Sequence, residues 1–258
     1  MKISVITSVR NAVNTIDTNI SSLNSQTYQN WEHIIIDGAS NDGTLEYLNS
    51  LSKNYNRKIF SEKDSGPLEG FNKGIKLSTG DVVGFLNADD VFFDPTSLKK
   101  IAHCFKNPKV MGCYGDLIYT DKQNLNKILR IWSMGEYSFS KLMKGWTAAH
   151  PTFYVKKSVF EDIGYFNPDY YLQSDFEFVV RFFLKYKLKA KYINNPLVKM
   201  RTGGISNSSI INIAIQNLYN YKVLKNHEVP VNILYPFIRI TSRLSQYLKA
   251  KLNGKNYG

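Results

Sequence analysis

The sequence predicts an α/β domain built on a mostly parallel, Rossmann-like sheet. Three observations carry that expectation. Short β-branched runs near residues 3–9, 32–36 and 81–86 alternate with stretches of helical periodicity, the pattern of strand–helix–strand units. Two of these runs end in acidic clusters. Ile34-Ile35-Ile36 is followed by Asp37-Gly38-Ala39-Ser40-Asn41-Asp42-Gly43-Thr44, and Val82-Val83-Gly84-Phe85-Leu86 by Asn87-Ala88-Asp89-Asp90. Ligands of open α/β sheets bind beyond the carboxyl ends of the strands, so both clusters are expected to open onto one crevice. Finally, 258 residues suffice for one substantial core with an appendage.

In chain order, residues 3–9 read as a buried strand. Residues 14–26 set Asn14, Ile16, Ile20 and Leu23 at helical spacing, and 32–36 form the second strand. Asp42 or Thr44 caps a helix over about 44–53, with Leu45, Leu48 and Leu51 on one face. Residues 57–61 make a third strand. Gly66-Pro67 marks a loop, 68–78 a helix stopped by Thr79-Gly80, and 81–86 the next strand. The second half is less regular. A helix is expected at 96–106, strands at 110–119 and 127–132, a short strand at 152–155, helices at 156–163 and 174–186, and a strand at 189–193.

Beyond Ser206 the chain changes character. A helix covers 209–226. After Pro230 and Pro236, the residues Phe237, Ile240, Leu244, Tyr247, Leu248 and Leu252 recur at three-to-four spacing. Arg239, Arg243, Lys249, Lys251 and Lys255 accompany them, and no acid follows Glu228. Two units are therefore expected: 1–206, holding the chemistry, and 207–258, a basic amphipathic helical extension. Its stripe suits either an anionic membrane surface or the core.

The net charge of +12 favours anionic partners. No helix-turn-helix, zinc-finger or RNP-type pattern is present, so nucleic acid is not an expected partner. No stretch has the length of a membrane-spanning helix, and Met1-Lys2-Ile3-Ser4-Val5-Ile6 reads as a core strand rather than a signal peptide. A cytoplasmic protein, peripheral at the inner face of the membrane, is expected. Cys104 and Cys113 form no disulfide framework or metal pattern and read as buried thiols.

Several stretches, in order, extend the pattern: Ile3-Ser4-Val5-Ile6-Thr7-Ser8-Val9-Arg10-Asn11-Ala12, Gln26-Thr27-Tyr28-Gln29-Asn30-Trp31-Glu32, the Asp37-to-Thr44 turn, Asn72-Lys73-Gly74, Thr79-Gly80-Asp81, Phe85-to-Asp90, Gly164-Tyr165-Phe166, Ser174-Asp175-Phe176-Glu177 and Gly203-Gly204-Ile205-Ser206. Their order and spacing resemble the inverting family 2 glycosyltransferases with the GT-A fold, of the type that builds bacterial surface polysaccharides.

The resemblance implies a hexosyltransferase-type enzyme. It would move a sugar from a nucleotide-sugar donor, a UDP-sugar, to a glycan or lipid-linked acceptor by single displacement. Asp37 matches the acid that accepts from the pyrimidine N–H, although Gly38 stands where the family often has a second Asp. Thr7, Arg10, Asp64, Asn72, Lys73, Asn87 and Asp89 are the other candidate nucleotide-binding residues. Asp89 and Asp90 match a DXD-type motif for Mn2+ or Mg2+, whose first acid is here Asn87; hard cations take oxygen ligands. Asp175 matches the catalytic base. His150, Arg201, Gly203, Gly204 and Ser206 are candidates for the acceptor side or a loop over the diphosphate. Two rivals stand beside this reading. A sugar-nucleotide nucleotidyltransferase would carry a glycine-rich phosphate loop where Thr7-to-Ala12 has no glycine. A non-catalytic glycan- or membrane-binding protein would not need Asp37, Asp89, Asp90 and Asp175 together.

Overall fold

A computed structural model describes residues 1–51, 56–203 and 210–241. Strands β1 (Ile3–Val9), β2 (Trp31–Asp37), β3 (Arg57–Ser61) and β4 (Val82–Phe85) lie parallel. They are joined by helices α1 (Ile16–Asn24), α2 (Thr44–Ser50) and α3 (Pro67–Leu77). β1, β2 and β4 are buried almost throughout, which is why they read as continuous apolar runs rather than alternating ones. Gly66-Pro67 is the start of α3, not a separate loop. Proline's fixed φ and missing N–H suit the first helical position.

The second half comprises β5 (Val91–Phe92), α4 (Ser97–Cys104), β6 (Gly112–Thr120), β7 (Ile128–Trp132) and α5 (Phe139–Met143). Then come β8 (Tyr154–Lys156), α6 (Lys157–Ile163), α7 (Ser174–Val180), β9 (Ala190–Arg201) and α8 (Ile210–Asn226). Among the described residues the sheet runs β3-β2-β1-β4-β8-β6-β9-β5, with β7 also on β6. The long pairings are parallel, including β6 with β9, and short antiparallel pairings knit β8, β5 and β7 to them.

Three departures from expectation matter for the site. β9 runs on to Arg201 instead of stopping at Ile193, because a register shift opposite Gly115-Asp116-Leu117 carries the strand past Pro196. The two-residue β5 pairs with it, Val91 opposite Lys199, so the end of β9 lies beside the Asp89-Asp90 turn. The helix expected at 174–186 is α-helical only to Val180. It continues as a π-turn over Arg181–Lys185.

Residues 210–241 share one core with the rest of the chain. Val223, Leu224 and Tyr235 are fully buried, in the same apolar cluster as Phe160, Phe178 and Phe182. Residues 235–241 are again helical, but their faces are not those the stripe suggested. Phe237 is 68 % exposed and Ile240 39 %, whereas Tyr235 and Arg239 point inward. Leu244 and the later stripe and basic residues lie outside the described residues. Cys104 and Cys113 are buried free thiols.

Candidate active site

At the carboxyl end of β2, Asp37 is buried. Its carboxylate accepts from the Ser40 N–H (3.1 Å), the Ser40 hydroxyl and the Ser61 hydroxyl (2.7 Å). These bonds fix the acid at the mouth of the turn. Half-buried Asp64 comes in from the loop after β3. A Cβ added to Gly38 would sit 2.9 Å from both Asp64 carboxylate oxygens, so the glycine makes room for that side chain. The carboxylate missing at position 38 is thus replaced, in space, by Asp64. Burial raises the Asp64 carboxyl above its ordinary range. The Gly66 N–H and the exposed Arg10 work the other way, and Glu69 and Asp37 add to the rise. Asp37, Asp64 and Arg10 therefore form one group.

The second cluster divides its labour. Asp90 is wholly buried. It accepts from the Asn87 amide (2.8 Å) and the Arg201 backbone N–H (3.2 Å), while Asn19 donates to the Asn87 and Asp90 carbonyls. It fastens β9 to the turn and has no face toward a ligand. Asp90, expected as a metal ligand, is held by these bonds, with the Asn87 amide as its side-chain partner. Burial first, then Asp89, push the Asp90 carboxyl well up.

Asp89 is half-buried, and its side chain makes no hydrogen bond to another described residue. Burial raises its carboxyl too, with the Arg201 charge opposing. Arg201 is 8 % exposed. Its Nη2 donates to the Thr18 hydroxyl (3.1 Å), and its buried Nε and Nη1 have no partner among the described residues. Buried guanidinium N–H groups are normally satisfied, so these donors can accommodate an anion. No three His, Cys, Asp or Glu side chains among the described residues form a ready metal site. The donor set fits a hard cation only as one carboxylate plus phosphate oxygens and water, a mode usual for Mg2+.

Across β4, His150 and Asp175 line one small, otherwise apolar cavity with Phe85, Phe166 and Phe178. His150 stacks on Phe85 (4.6 Å between ring centres), and its buried Nε2 has no hydrogen-bond partner. Burial holds the imidazole down at about 4, so it is neutral at physiological pH. Asp175 stands in the first turn of α7 and accepts from the Phe176 N–H (2.7 Å). Burial raises its carboxyl. That hydrogen bond and the charge of Arg239 oppose the rise.

Other expected site residues prove to be framework. Thr7 is fully buried; its hydroxyl donates to the Leu86 carbonyl (2.7 Å) and meets His33 Nε2 (2.9 Å). These contacts tie β1 to its neighbours and leave Thr7 no exposed surface. Asn72 is likewise held. Its amide donates to the Phe166 carbonyl (2.8 Å) and accepts from the Phe166 N–H (3.1 Å), so both ends are engaged. Lys73 is paired with Glu62. Gly203 follows β9 with φ +108°; Gly204 and Ser206 lie outside the described residues.

The motif pieces 164–166 and 174–177 are joined by Arg181. It pairs with Glu177 (2.8 and 2.9 Å) and donates to the carbonyls of Ile163, Gly164 and Tyr165, and His227 also bonds Glu177 (2.9 Å). Arg239 was expected on a surface stripe; its inward place is foreshadowed only by its four-residue spacing from Tyr235.

A crevice at the strand ends of this sheet, with an acid–arginine pair on one side and half-buried Asp175 on the other, is the arrangement of a group-transfer enzyme of the GT-A fold. The family model "Glycosyl transferase family 2" matches residues 4–164, more than half of the chain, and the chain belongs to that family. It is a glycosyltransferase. A PGL/p-HBAD biosynthesis glycosyltransferase of Mycobacterium bovis (strain BCG / Pasteur 1173P2) is 25 % identical over 210 residues, 80 % of each chain. S. aureus TarS 1–349 in complex with UDP-GlcNAc superposes with a TM-score of 0.63 at 17 % identity, covering 98 % of this chain and 72 % of that one. The mannosyltransferase PcManGT from Pyrobaculum calidifontis, in complex with GDP-Man and Mn2+, gives 0.63 at 14 % identity, covering 99 % and 72 %. These two likenesses concern the fold.

Proposed function

We propose that the chain transfers a hexose from a UDP-sugar to a hydroxyl of a glycan or lipid-linked acceptor, with inversion, in bacterial surface-polysaccharide assembly. The observation that carries this reading is the buried Arg201 guanidinium, whose Nε and Nη1 have no partner among the described residues, near enough to Asp89 for their charges to interact. A leaving diphosphate develops charge there, and preorganised donors in a dry site stabilise it strongly. Asp89 would hold Mn2+ or Mg2+ together with diphosphate oxygens; the bound cation supplies further neutralisation of the leaving group.

In this reading Asp37, Asp64 and Arg10 bind the nucleoside end of the donor. Asp175 takes the proton of the acceptor hydroxyl as that oxygen bonds to the anomeric carbon. The bond from that carbon to the diphosphate breaks, and its electron pair leaves with the diphosphate. Neutral His150, on the same cavity, lines the acceptor side.

Peripheral attachment at the inner membrane face belongs to the same proposal. It is supported by an outward apolar set on the extension, Leu218, Tyr219, Ile233, Leu234 and Phe237, each at least 49 % exposed. No helix among the described residues is long and apolar enough to cross a membrane.

TarS 1–349 in complex with UDP-GlcNAc and PcManGT in complex with GDP-Man favour a nucleotide sugar without choosing between bases. Incubating the purified chain with a panel of UDP-, GDP- and dTDP-sugars and Mn2+ tests the reading. Release of nucleoside diphosphate from a UDP-sugar is expected; release from none would overturn it.

A further inference from the structure

Arg239 is a buried cation outside the donor crevice. It lies in the extension, beyond every motif of the family resemblance, yet it is only 5 % exposed. Three elements are shaped around it. Its Nη1 donates to Asn217 Oδ1 of α8 (2.7 Å). The Asn220 amide, in the orientation that satisfies both its ends, accepts from the same nitrogen (2.6 Å) and donates to Gln173 at the start of α7. Its guanidinium carbon stands 5.9 Å from the ring centre of Phe176, the residue after Asp175. On the other side, Gly145 has φ +91°, and a Cβ there would lie 2.6 Å from Arg239 Cγ. The loop that leads to His150 therefore passes against the arginine stem where only glycine fits.

Burying a guanidinium is costly unless something faces it. The ring it overlies, Phe176, adjoins Asp175, the acid whose charge acts on it. We propose that Arg239 is a positioning residue for the catalytic site: its buried charge supports the Asp175 carboxylate, and its fork ties the start of α7 to the extension. The inference rests on the reading of Asp175 as the base. It makes the extension part of the active site, although the catalytic motifs end by residue 206.

The other charged and titratable groups around Asp175 do not substitute for it. His150 is neutral, held low by burial. Glu177 on the same helix is already paired with Arg181 and His227. Arg130, Tyr119 and Tyr235 act electrostatically on Arg239 and are not among the groups that act on Asp175. Arg239 is thus the cation whose charge acts on the Asp175 carboxyl, against the rise that burial causes.

The test is the pH profile of kcat/KM for transfer in the full-length chain. The base must be ionised, so activity falls on the acid side as Asp175 is protonated. Removing a facing cation raises a carboxyl pKa, and Arg239→Met should therefore move the acid limb upward by about one unit. Arg239→Lys keeps the charge and should return the limb to its wild-type position, even with reduced kcat. Arg239→Gln, which can still donate to Asn217, serves in place of the methionine variant where that one does not fold.

A folded neutral variant whose acid limb superposes on wild type would overturn the proposal. So would a lysine variant whose limb moves as far as the neutral one's. Asp175→Asn separates this failure from failure of the underlying reading. If it transfers normally, the base is misassigned; if it is inactive while the Arg239 variants show no shift, only the role of Arg239 falls.

Discussion

Replacing Arg201 with methionine should separate folding from catalysis. The side chain is 8 % exposed and, among the described residues, makes one hydrogen bond, to Thr18 at 3.1 Å, and leaves Nε and Nη1 unpaired. A hydrogen bond to a charged group contributes about 1.5–3 kcal/mol, and each unsatisfied buried donor costs about 1–3 kcal/mol. Methionine fills similar space without donors, so losing the bond is offset by relief of two orphaned N–H groups. The variant should therefore be as stable as wild type or up to ~2 kcal/mol more stable. At about 2–4 °C per kcal/mol for a chain of this size, Tm stays level or rises by several degrees. Turnover should move the other way, because removing one preorganised donor from a developing anion costs about 100- to 1000-fold in kcat. Thermal unfolding without donor, followed by steady-state release of nucleoside diphosphate, measures both. A variant that melts well below wild type yet turns over normally would refute the reasoning and make Arg201 a framework residue.

Asp89→Ala and Asp90→Ala should fail differently: Asp89→Ala melts like wild type but loses metal-dependent donor binding in titration calorimetry. Asp90→Ala strands the Asn87 amide and the Arg201 N–H, and should lower stability by about 2–4 kcal/mol in denaturant unfolding. Glu32, nearly inaccessible, concerns pH. Burial alone would raise its carboxyl, but hydrogen bonds from Ser4, Thr79 and Lys2 outweigh that and hold it at about 2 against an ordinary 4.5. A depressed pKa stabilises the fold above about pH 4.5 and that contribution is lost as pH falls toward about 2. Glu32→Gln should thus cost on the order of 2 kcal/mol at pH 7, and the gap to wild type in Tm should close between those pH values.

Much of the parallel half was legible from local pattern. The run at 57–61 is β3 to the residue, and Ile16, Ile20 and Leu23 are on the buried face of α1, because a short strand-like run and a helical stripe are written in neighbouring residues. The acids at 37, 89 and 175 could be ranked because each follows a strand or opens a helix. What failed was everything set by tertiary partners. Thr7 and Asn72 sit at motif positions, but which face a strand side chain takes, and that Asn72 clamps Phe166, depends on elements far along the chain. Strand β9 was cut short at Asn194-Asn195-Pro196, a turn-like triplet that only a register shift accommodates. The extension's stripe was visible, but its orientation was not. Arg239 is drawn inward by Asn217 and the acid on α7, and Phe237 is left outside.

The most direct test of the account is Asp175→Asn, with donor affinity and transfer rate measured on the same preparation. The amide is nearly isosteric and keeps an oxygen for the Phe176 N–H, but it does not take up a proton at neutral pH. The account predicts UDP affinity within about twofold of wild type, an unchanged melting temperature, and transfer reduced about 100- to 10,000-fold, the range of a lost general base. Transfer near the wild-type rate would contradict it, and so would loss of UDP binding along with activity.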